Sequence, residues 1–427
     1  MSVLDILKRT HSGELGLREY LTALCDEVES KEPQIQAFVS GTFNRNRILD
    51  TANDLLEKYP HPADRPPLFG LPIGVKDIFR VHGFPTQCGS RLPPSLFEGV
   101  EASCVNKLRQ AGAIIMGKTV TAEFAGFEPG PTRNPHNFAH SPGGSSSGSA
   151  AGVAIGYFPV ALGTQTSGSI TRPAAYCGVI GLKPSFGRIP RDGVILYSQS
   201  IDHVGIFVRD SELIHSVMQV LVEDWSNENL EIQKKPVVGL PDGPYLKQAT
   251  QPALDHFFAQ MKRLEQKGCE IKRIPLFDDI ARINACHDRL VTGEVTRIHA
   301  QWYRGYPALY SNRMLESFSR GSHISDEELN ELRKQRMDLR KQIQETMRAH
   351  HIDCWVCPSA TDSAPAGLSS TGDPIMNVPW SNSGLPTISI PSGVDSSGLP
   401  HGIQLVGKFM RDEELLDSAS KLEKDLK

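Results

Sequence analysis

A tract of small residues in the first half of the chain constrains its fold more than any other segment. Residues 129–149 are dense in Pro, Gly, Ser and Asn, which makes them too polar for a strand or a buried helix. They run into SAAGVAIG at 149–156, whose small side chains suit a tightly packed helix. Paired glycines permit an unusual backbone and close approach of other main chain. The tract therefore predicts a loop held against a packed helix, with a flexible linker as the alternative.

Helical and strand patterns alternate on both sides of this tract. Apolar residues recur at helical spacing up to about Tyr59, for example at Leu17, Tyr20, Leu21 and Leu24. Short apolar runs predict strands at 71–75, 113–116, 159–166, 352–356, 387–390 and 402–406. Helices are predicted at 103–111, 211–223, 251–267, most of 278–350 and 412–425. This mixture predicts an α/β fold built on a mixed sheet.

No break in composition marks a second domain, so we expect one large domain over 1–427. Residues 1–60 would form an N-terminal helical segment and 60–215 the catalytic core. Residues 225–350 would be a helical excursion, in which the charged stretch 325–349 forms a solvated helix face. Residues 352–427 would return to the core.

Composition excludes several classes of function. The 427 residues carry 45 Lys+Arg against 49 Asp+Glu, a net charge of −4, which gives no general attraction to nucleic acid or to an anionic membrane. No apolar run reaches the roughly 18 residues of a membrane span, and the N-terminus lacks a signal pattern. Eight irregularly spaced cysteines fit reduced thiols. We therefore expect a cytoplasmic protein.

Four motif matches fail on physical grounds. Residues 112–119 fit a P-loop, but their middle residues form an apolar strand that would precede a lysine-bearing turn. Residues 144–148 fit a nucleophile elbow but follow a loop instead of a strand. Residues 418–421 fit S-x-x-K but lie in a charged helix that keeps the lysine solvated. Cys354 and Cys357 would point to opposite faces of a strand, so we expect two buried thiols and no metal site.

Three other features carry chemistry. Lys76 lies in a short apolar run, where burial would lower the pKa of its amine and make it a base near neutral pH. Its alternatives are an ion pair with Asp77 or an outward-pointing side chain. The serines of the tract 141–149 can relay protons. In GTQTSGSITRP at 163–173, a strand end runs into small residues whose free amides could form an oxyanion hole beside Ser169, although an exposed tight turn is the alternative.

Together these segments resemble the amidase signature family, and the resemblance extends through most of the chain. The matching segments are GLPIGVKDIF at 70–79, LRQAGAIIMGKT at 108–119, NPHNFAHSPGGSSSGSAAGVA at 134–154, GTQTSGSITRPAAYCGVIGLKPSFGRIPRDGV at 163–194, TGDPIMNVPWSNSGLPTISIP at 371–391 and LPHGIQLVG at 399–407. The resemblance implies a central mixed β-sheet with helices on both faces.

The resemblance also implies roles for individual residues. Ser169 would be the acyl-forming nucleophile, Ser145 the bridging serine, usually held by a cis peptide bond, and Lys76 the terminal base. The backbone amides of Thr166, Ser167, Gly168 and Ser169 would form the oxyanion hole. This chemistry requires neither a metal nor an organic cofactor.

One departure from the family pattern concerns substrate. Many members carry an aspartate where Gln165 stands and an arginine two residues after the nucleophile. Here Thr171 occupies that position and Arg172 follows it, an arrangement that resembles the malonamidase branch. Arg172 would then bind a substrate carboxylate, with Gln165 and Ser146 as further candidate substrate contacts. The alternative for Arg172 is a structural role in capping nearby carbonyls.

The sequence therefore predicts an amidase that hydrolyses a small carboxamide, including malonamate-like acid-amides, to a carboxylate and ammonia or an amine through a seryl acyl-enzyme. Its partner would be the small-molecule amide, with no nucleic acid and no membrane. A homodimer is the commonest closed assembly. The alternatives are a catalytically silent scaffold on the same fold and a glutaminase or amidotransferase-type subunit.

Overall fold

The computed structural model describes residues 3–226 and 235–426. Residues 1–2, 227–234 and 427, which belong to the expected N-terminal segment, excursion and C-terminal part, lie outside the described residues. Within those described, no helix has the length and apolar character needed to cross a membrane.

Ten strands of the described residues form a single mixed sheet. The strands are β1 (Pro72–Lys76), β2 (Ile114–Thr119), β3 (Val160–Gln165), β4 (Ile180–Lys183), β5 (His203–Val208), β6 (Val238–Asp242), β7 (Ile271–Pro275), β8 (Cys354–Pro358), β9 (Thr387–Val394) and β10 (Pro400–Val406). Their order is β2-β1-β3-β5-β4-β9-β10-β8-β6-β7. β1 is parallel to β2 and β3, and β6 is parallel to β7 and β8, whereas the central pairs are antiparallel.

Helices connect and cover these strands. They are α1 (Val3–Ser12), α2 (Leu17–Ile35), α3 (Arg45–Lys58), α4 (Ser103–Gln110), α5 (Ser147–Ile155), α6 (Thr171–Cys177), α7 (Glu212–Leu221), α8 (Gln251–Gln266), α9 (Ile280–Gly305), α10 (Asn312–Gly321), α11 (Asp326–Ala349), α12 (Val378–Ser383) and α13 (Asp412–Leu426). Several begin at a side-chain cap: Thr250 caps α8, Asp279 caps α9, Ser311 caps α10 and Ser325 caps α11.

Both faces of the sheet are covered. Because side chains alternate along a strand, Ile114 and Ala161 pack into a core with α2, α3, α5 and α6, whereas Ile115 and Leu162 pack into a second core with α4, α7, α8 and α13. These two cores on opposite faces confirm the predicted single α/β domain with a mixed sheet between helical layers.

The small-residue tract is packed and is not a linker. A Cβ at Gly148 would lie 2.1 Å from the carbonyl oxygen of Ala37, and one at Gly152 would lie 2.2 Å from the ring of Phe158. Only glycine permits this approach of α5 to its neighbours.

One expectation about the range 225–350 needs correction. This range contains α8 to α11 but also β6 and β7, which extend the sheet at one edge. The charged helix α11 has the expected solvated face, and on its opposite face Arg336 and Arg340 are buried and donate to the carbonyls of Asn382 and Ser383 at the end of α12. Cations suit a helix C-terminus, which explains these buried charges.

The rejected motifs lie largely as expected, with one correction. Cys354 and Cys357 are buried in β8, and Lys421 pairs with Asp417 in α13. Lys118 does not sit in a turn after the strand but inside β2, fully buried. Its charge is compensated by Asp77, whose Oδ1 lies 2.7 Å from Lys118 Nζ.

Candidate active site

The candidate site lies where the parallel strands β1 and β3 end. Lys76 is the last residue of β1 and is fully buried. Its Nζ lies 2.8 Å from Ser145 Oγ and 2.8 Å from Thr164 Oγ1 on β3. The ion pair between Asp77 and Lys118 rules out the alternative in which Asp77 neutralises Lys76. The amine therefore faces two hydroxyl groups, and no carboxylate of the described residues lies at contact distance.

Burial determines the protonation of this amine. Desolvation lowers the pKa of Lys76 from its ordinary value to about 7, while the negative charge of Asp202 partly opposes that effect. A substantial fraction of the amine is therefore neutral near pH 7, as a general base requires.

Ser145 enters the site from the loop before α5. The Gly144–Ser145 peptide bond is cis, as the family resemblance implied. Ser145 is fully buried, and its neighbour Ser146 donates its hydroxyl to the carbonyl of Thr164 at 3.2 Å. The loop is thereby fastened to β3 beside Lys76.

Ser169 lies in the turn that joins β3 to α6 and is 7% exposed. In the part of the chain that the structure describes, the main-chain N–H groups of Thr166, Ser167, Gly168 and Ser169 have no protein acceptor. The next two amides, of Ile170 and Thr171, donate to Gln165 Oε1 at 2.8 and 2.9 Å. The four preceding amides are therefore available to a ligand.

The first contact of the expected relay is present, and the second stays a prediction. Among the described residues no hydrogen bond joins Ser169 Oγ to Ser145 Oγ. The two segments are nevertheless tied together, because Arg172 Nη2 donates to the carbonyl of Gly144 at 2.7 Å.

Arg172 is 2% exposed and has no carboxylate at contact distance among the described residues. Nη2 also donates to Thr371 Oγ1 at 3.2 Å, which fits the expected alternative of a carbonyl-capping arginine. Its Nε and Nη1 are buried and have no hydrogen-bond partner among the residues that the structure describes. Burial lowers the pKa of this guanidinium. Two of its nitrogens thus remain unsatisfied beside the candidate nucleophile segment.

Two of the expected substrate contacts, Gln165 and Ser146, make hydrogen bonds within the protein. Gln165 is fully buried, and its side chain is engaged by Ile170, Thr171 and Ser381. Ser146 is fully buried and bonded to the main chain of Thr164. Both side chains hold the protein's own backbone in place.

The sequence reasoning missed four polar residues of this site. Thr164 and Ser381 lie within segments already matched to the family, but a motif does not show which hydroxyl points inward. Asp202 is buried and accepts the Thr166 hydroxyl at 2.6 Å together with the amides of Tyr197 and Ser198. His287 on α9 lies 2.8 Å from Ser167 Oγ, in a range without any motif.

Solved structures share this architecture. One described as an amidase superposes with a TM-score of 0.89 at 28% identity over 99% of both chains. Another, from a vestigial protein complex linked to the origins of an s-triazine catabolic enzyme, has a TM-score of 0.86 at 25% identity and covers 100% of this chain and 98% of its own. The peptide amidase of Stenotrophomonas maltophilia, at 24% identity and a TM-score of 0.83 over 98% of this chain and 96% of its own, shares the fold.

Sequence relatives and a family model agree with the structural likeness. The chain is 29% identical to a glutamyl-tRNA(Gln) amidotransferase subunit of Synechococcus sp. (strain WH7803), over 99% of this chain and 96% of the relative. The corresponding subunit of Lachnospira eligens is 29% identical over 97% of each chain. The family model described as Amidase matches residues 19–416. The chain therefore belongs to the amidase signature family and is an amidohydrolase that acts on linear C–N amide bonds.

Proposed function

We propose that this chain hydrolyses a small carboxamide, with Ser169 as the nucleophile, Ser145 as the bridging hydroxyl and Lys76 as the base. The observation that carries the proposal is the fully buried Lys76 amine, which lies 2.8 Å from Ser145 Oγ and contacts no carboxylate in the described part of the chain. A serine–base pair of this kind activates a hydroxyl that is otherwise a weak nucleophile.

Each step conserves protons. Neutral Lys76 takes the proton of Ser145 while Ser145 takes that of Ser169, once Ser169 Oγ has rotated toward Ser145. Ser169 Oγ then forms a bond to the amide carbonyl carbon, and the C–N bond breaks as the relay returns a proton to the departing nitrogen. Water attacks the resulting ester by the same route, which releases the carboxylate and restores Ser169.

The free amides of Thr166 to Ser169 would stabilise the oxygen that becomes negative in the tetrahedral intermediates. They require no reorganisation during the reaction, because side chains already hold the turn: Asp202 holds Thr166, and Gln165 holds the amides of Ile170 and Thr171. Donors placed in advance in a site shielded from water are an effective source of catalysis.

The rate should depend on pH through Lys76. Because the base must be neutral, we expect kcat/KM to rise with pH through a midpoint near 7, the pKa of the buried amine. Replacing Asp202 with Asn removes the charge that raises this pKa, so the midpoint should move to lower pH. The measurement is a pH profile of both enzymes on one amide.

Asp417→Asn is a control for that profile, because Asp417 is paired with Lys421 on the outer helix α13. This variant should keep the wild-type midpoint. If the midpoint of the kcat/KM profile is the same in Asp202→Asn as in the wild type, the loss of activity at low pH is not due to protonation of Lys76.

For the substrate, we propose an acid-amide whose carboxylate binds Arg172. The support is the buried guanidinium: within residues 3–226 and 235–426 its Nε and Nη1 have no partner, whereas Nη2 is bonded to Gly144 and Thr371. A carboxylate could accept from these nitrogens and would compensate the buried charge.

A panel of three amides tests this substrate class: malonamate, the neutral propionamide and glutamine, with ammonia release as the readout. We expect the isolated chain to prefer malonamate, and Arg172→Ala to lower kcat/KM on malonamate by about 10²-fold more than on propionamide. Equal losses on both amides would show that Arg172 serves the structure only.

The sequence relatives favour a second candidate, the glutamine-hydrolysing subunit of an amidotransferase. In that case glutamine should be the preferred amide of the panel, and its hydrolysis should increase when partner subunits of such an amidotransferase are added. Efficient turnover of malonamate by the isolated chain would favour the first candidate.

A further inference from the structure

Two buried side chains outside the proposed relay connect to the main chain of the nucleophile turn. Gln165 Nε2 donates to Ser381 Oγ at 2.9 Å, and Ser381 Oγ donates to the carbonyl oxygen of Ser167 at 2.5 Å. Both side chains are fully buried. They therefore form a short hydrogen-bonded chain that ends on the peptide group before Gly168.

The partners of Gln165 determine which group donates in each hydrogen bond of this series. Its Oε1 accepts from the amides of Ile170 and Thr171 and from Thr171 Oγ1, so its amide nitrogen must face Ser381. Ser381 Oγ accepts that N–H, which leaves its single proton for Ser167 O. A side chain at position 165 without an N–H group could not impose this direction.

The carbonyl of Ser167 shares a peptide plane with the N–H of Gly168. This peptide is trans, so the two groups point in opposite directions, and a hydrogen bond that fixes the carbonyl also fixes the N–H. That N–H is one of the four without a protein acceptor. Gly168 is also tightly enclosed, because a Cβ there would lie 2.4 Å from Asn377 Oδ1.

Helices α9 and α11, within the range 280–350, also hold the nucleophile turn and the helix beside it. His287 Nε2 lies 2.8 Å from Ser167 Oγ, and burial lowers the pKa of this imidazole to about 4, so it is neutral near pH 7. Arg336 and Arg340 hold the carbonyls at the end of α12, the helix that carries Ser381. Thus α9 contacts the nucleophile turn directly, and α11 holds the helix that carries Ser381.

We propose that Gln165 and Ser381 are positioning residues that aim the Gly168 N–H at the substrate oxygen in the tetrahedral intermediate. This inference rests on the proposed function, since it concerns the oxyanion hole of the same reaction. In this proposal Gln165, which stands where many family members have an aspartate, serves to orient the Gly168 N–H.

The test uses the isosteric Gln165→Glu, which keeps the acceptors for Ile170 and Thr171 but removes the N–H. The Ser381 hydroxyl should then donate to the carboxylate and release the carbonyl of Ser167. We expect kcat on the best amide of the panel to fall about 10²-fold with KM nearly unchanged, which is the signature of a lost transition-state interaction. Ser381→Ala should show the same loss without introducing a charge.

Two further readouts separate orientation from general structural damage. Affinity for an alkyl boronic acid, whose adduct places an oxygen at the oxyanion position, should fall in parallel with kcat. The double variant should be no slower than the slower single variant, because both substitutions break one chain. Ser383→Ala is the matched control: this buried serine of α12 donates to the carbonyl of Trp380 and should keep wild-type kcat.

Retention of kcat in Ser381→Ala, or losses that multiply in the double variant, would overturn this inference. Fluorophosphonate labelling of Ser169 in the wild type distinguishes that outcome from failure of the proposed function. A labelled, active wild type with a tolerant Ser381→Ala would overturn the positioning role alone. An unlabelled, inactive wild type would overturn both.

Discussion

Replacing Ser169 with alanine is expected to abolish amide hydrolysis and fluorophosphonate labelling together. Removal of a serine nucleophile lowers kcat by about 10⁶-fold in enzymes where the group has been deleted. The fold should survive, because in the described residues the Ser169 hydroxyl makes no hydrogen bond to the protein. Ammonia release, mass spectrometry of the labelled protein and the thermal unfolding curve provide the three measurements.

Ser147→Ala is the matched control for this experiment. Ser147 lies two residues after Ser145, is buried and donates to the carbonyl of Val120, away from Lys76. It should retain both turnover and labelling. Labelling that persists in Ser169→Ala would show that another hydroxyl is the nucleophile and would contradict the proposed mechanism.

Replacing Lys76 with methionine is expected to lower kcat by about 10²–10⁴-fold, the usual contribution of a general base. Methionine fills much of the same space, and Lys76 has no ion pair within the described residues, so the fold should remain intact. The unfolded chain binds the Lys76 proton up to about pH 10.5, whereas the folded chain loses it near pH 7. The free energy of unfolding of the wild type should therefore rise with pH across that window. In Lys76→Met this pH dependence should be absent.

Lys118→Met should show the opposite pattern, with a large loss of stability and a small loss of kcat. This second buried lysine is paired with Asp77, so its removal leaves a buried carboxylate without its cation and should cost about 3–5 kcal/mol of unfolding free energy. Its effect on kcat of the folded protein should be far smaller than that of Lys76→Met. Near-wild-type kcat in Lys76→Met would contradict the proton relay.

The sequence predicted the parts of this site that lie within short contiguous segments. Lys76 was recognisable as a charge in an apolar run, and Ser145 and Ser169 stood in glycine-rich turns with a family resemblance. Asp202 and His287 were not predicted, because their roles depend on contacts with Thr166 and Ser167 that folding alone creates.

The same reasoning explains the errors in secondary structure. β7 reads Ile-Lys-Arg-Ile-Pro and is half exposed at the sheet edge, so it shows little of the apolar pattern of a central strand. The sequence predicts a turn at Lys118 because its compensating Asp77, which directly follows β1, lies in a remote segment of the chain.

Arg336 and Arg340 bear on how this enzyme can diversify. A helix outside the catalytic segments is a natural region to exchange when substrate choice is to be altered. Here, however, α11 holds the carbonyls of Asn382 and Ser383, next to the Ser381 to which we assign a positioning role. A chimaera in which α11 is replaced by the helix of a relative should therefore also carry the residues of that relative at 381–384. Substitutions in α11 and in the segment 381–384 are therefore expected to occur together.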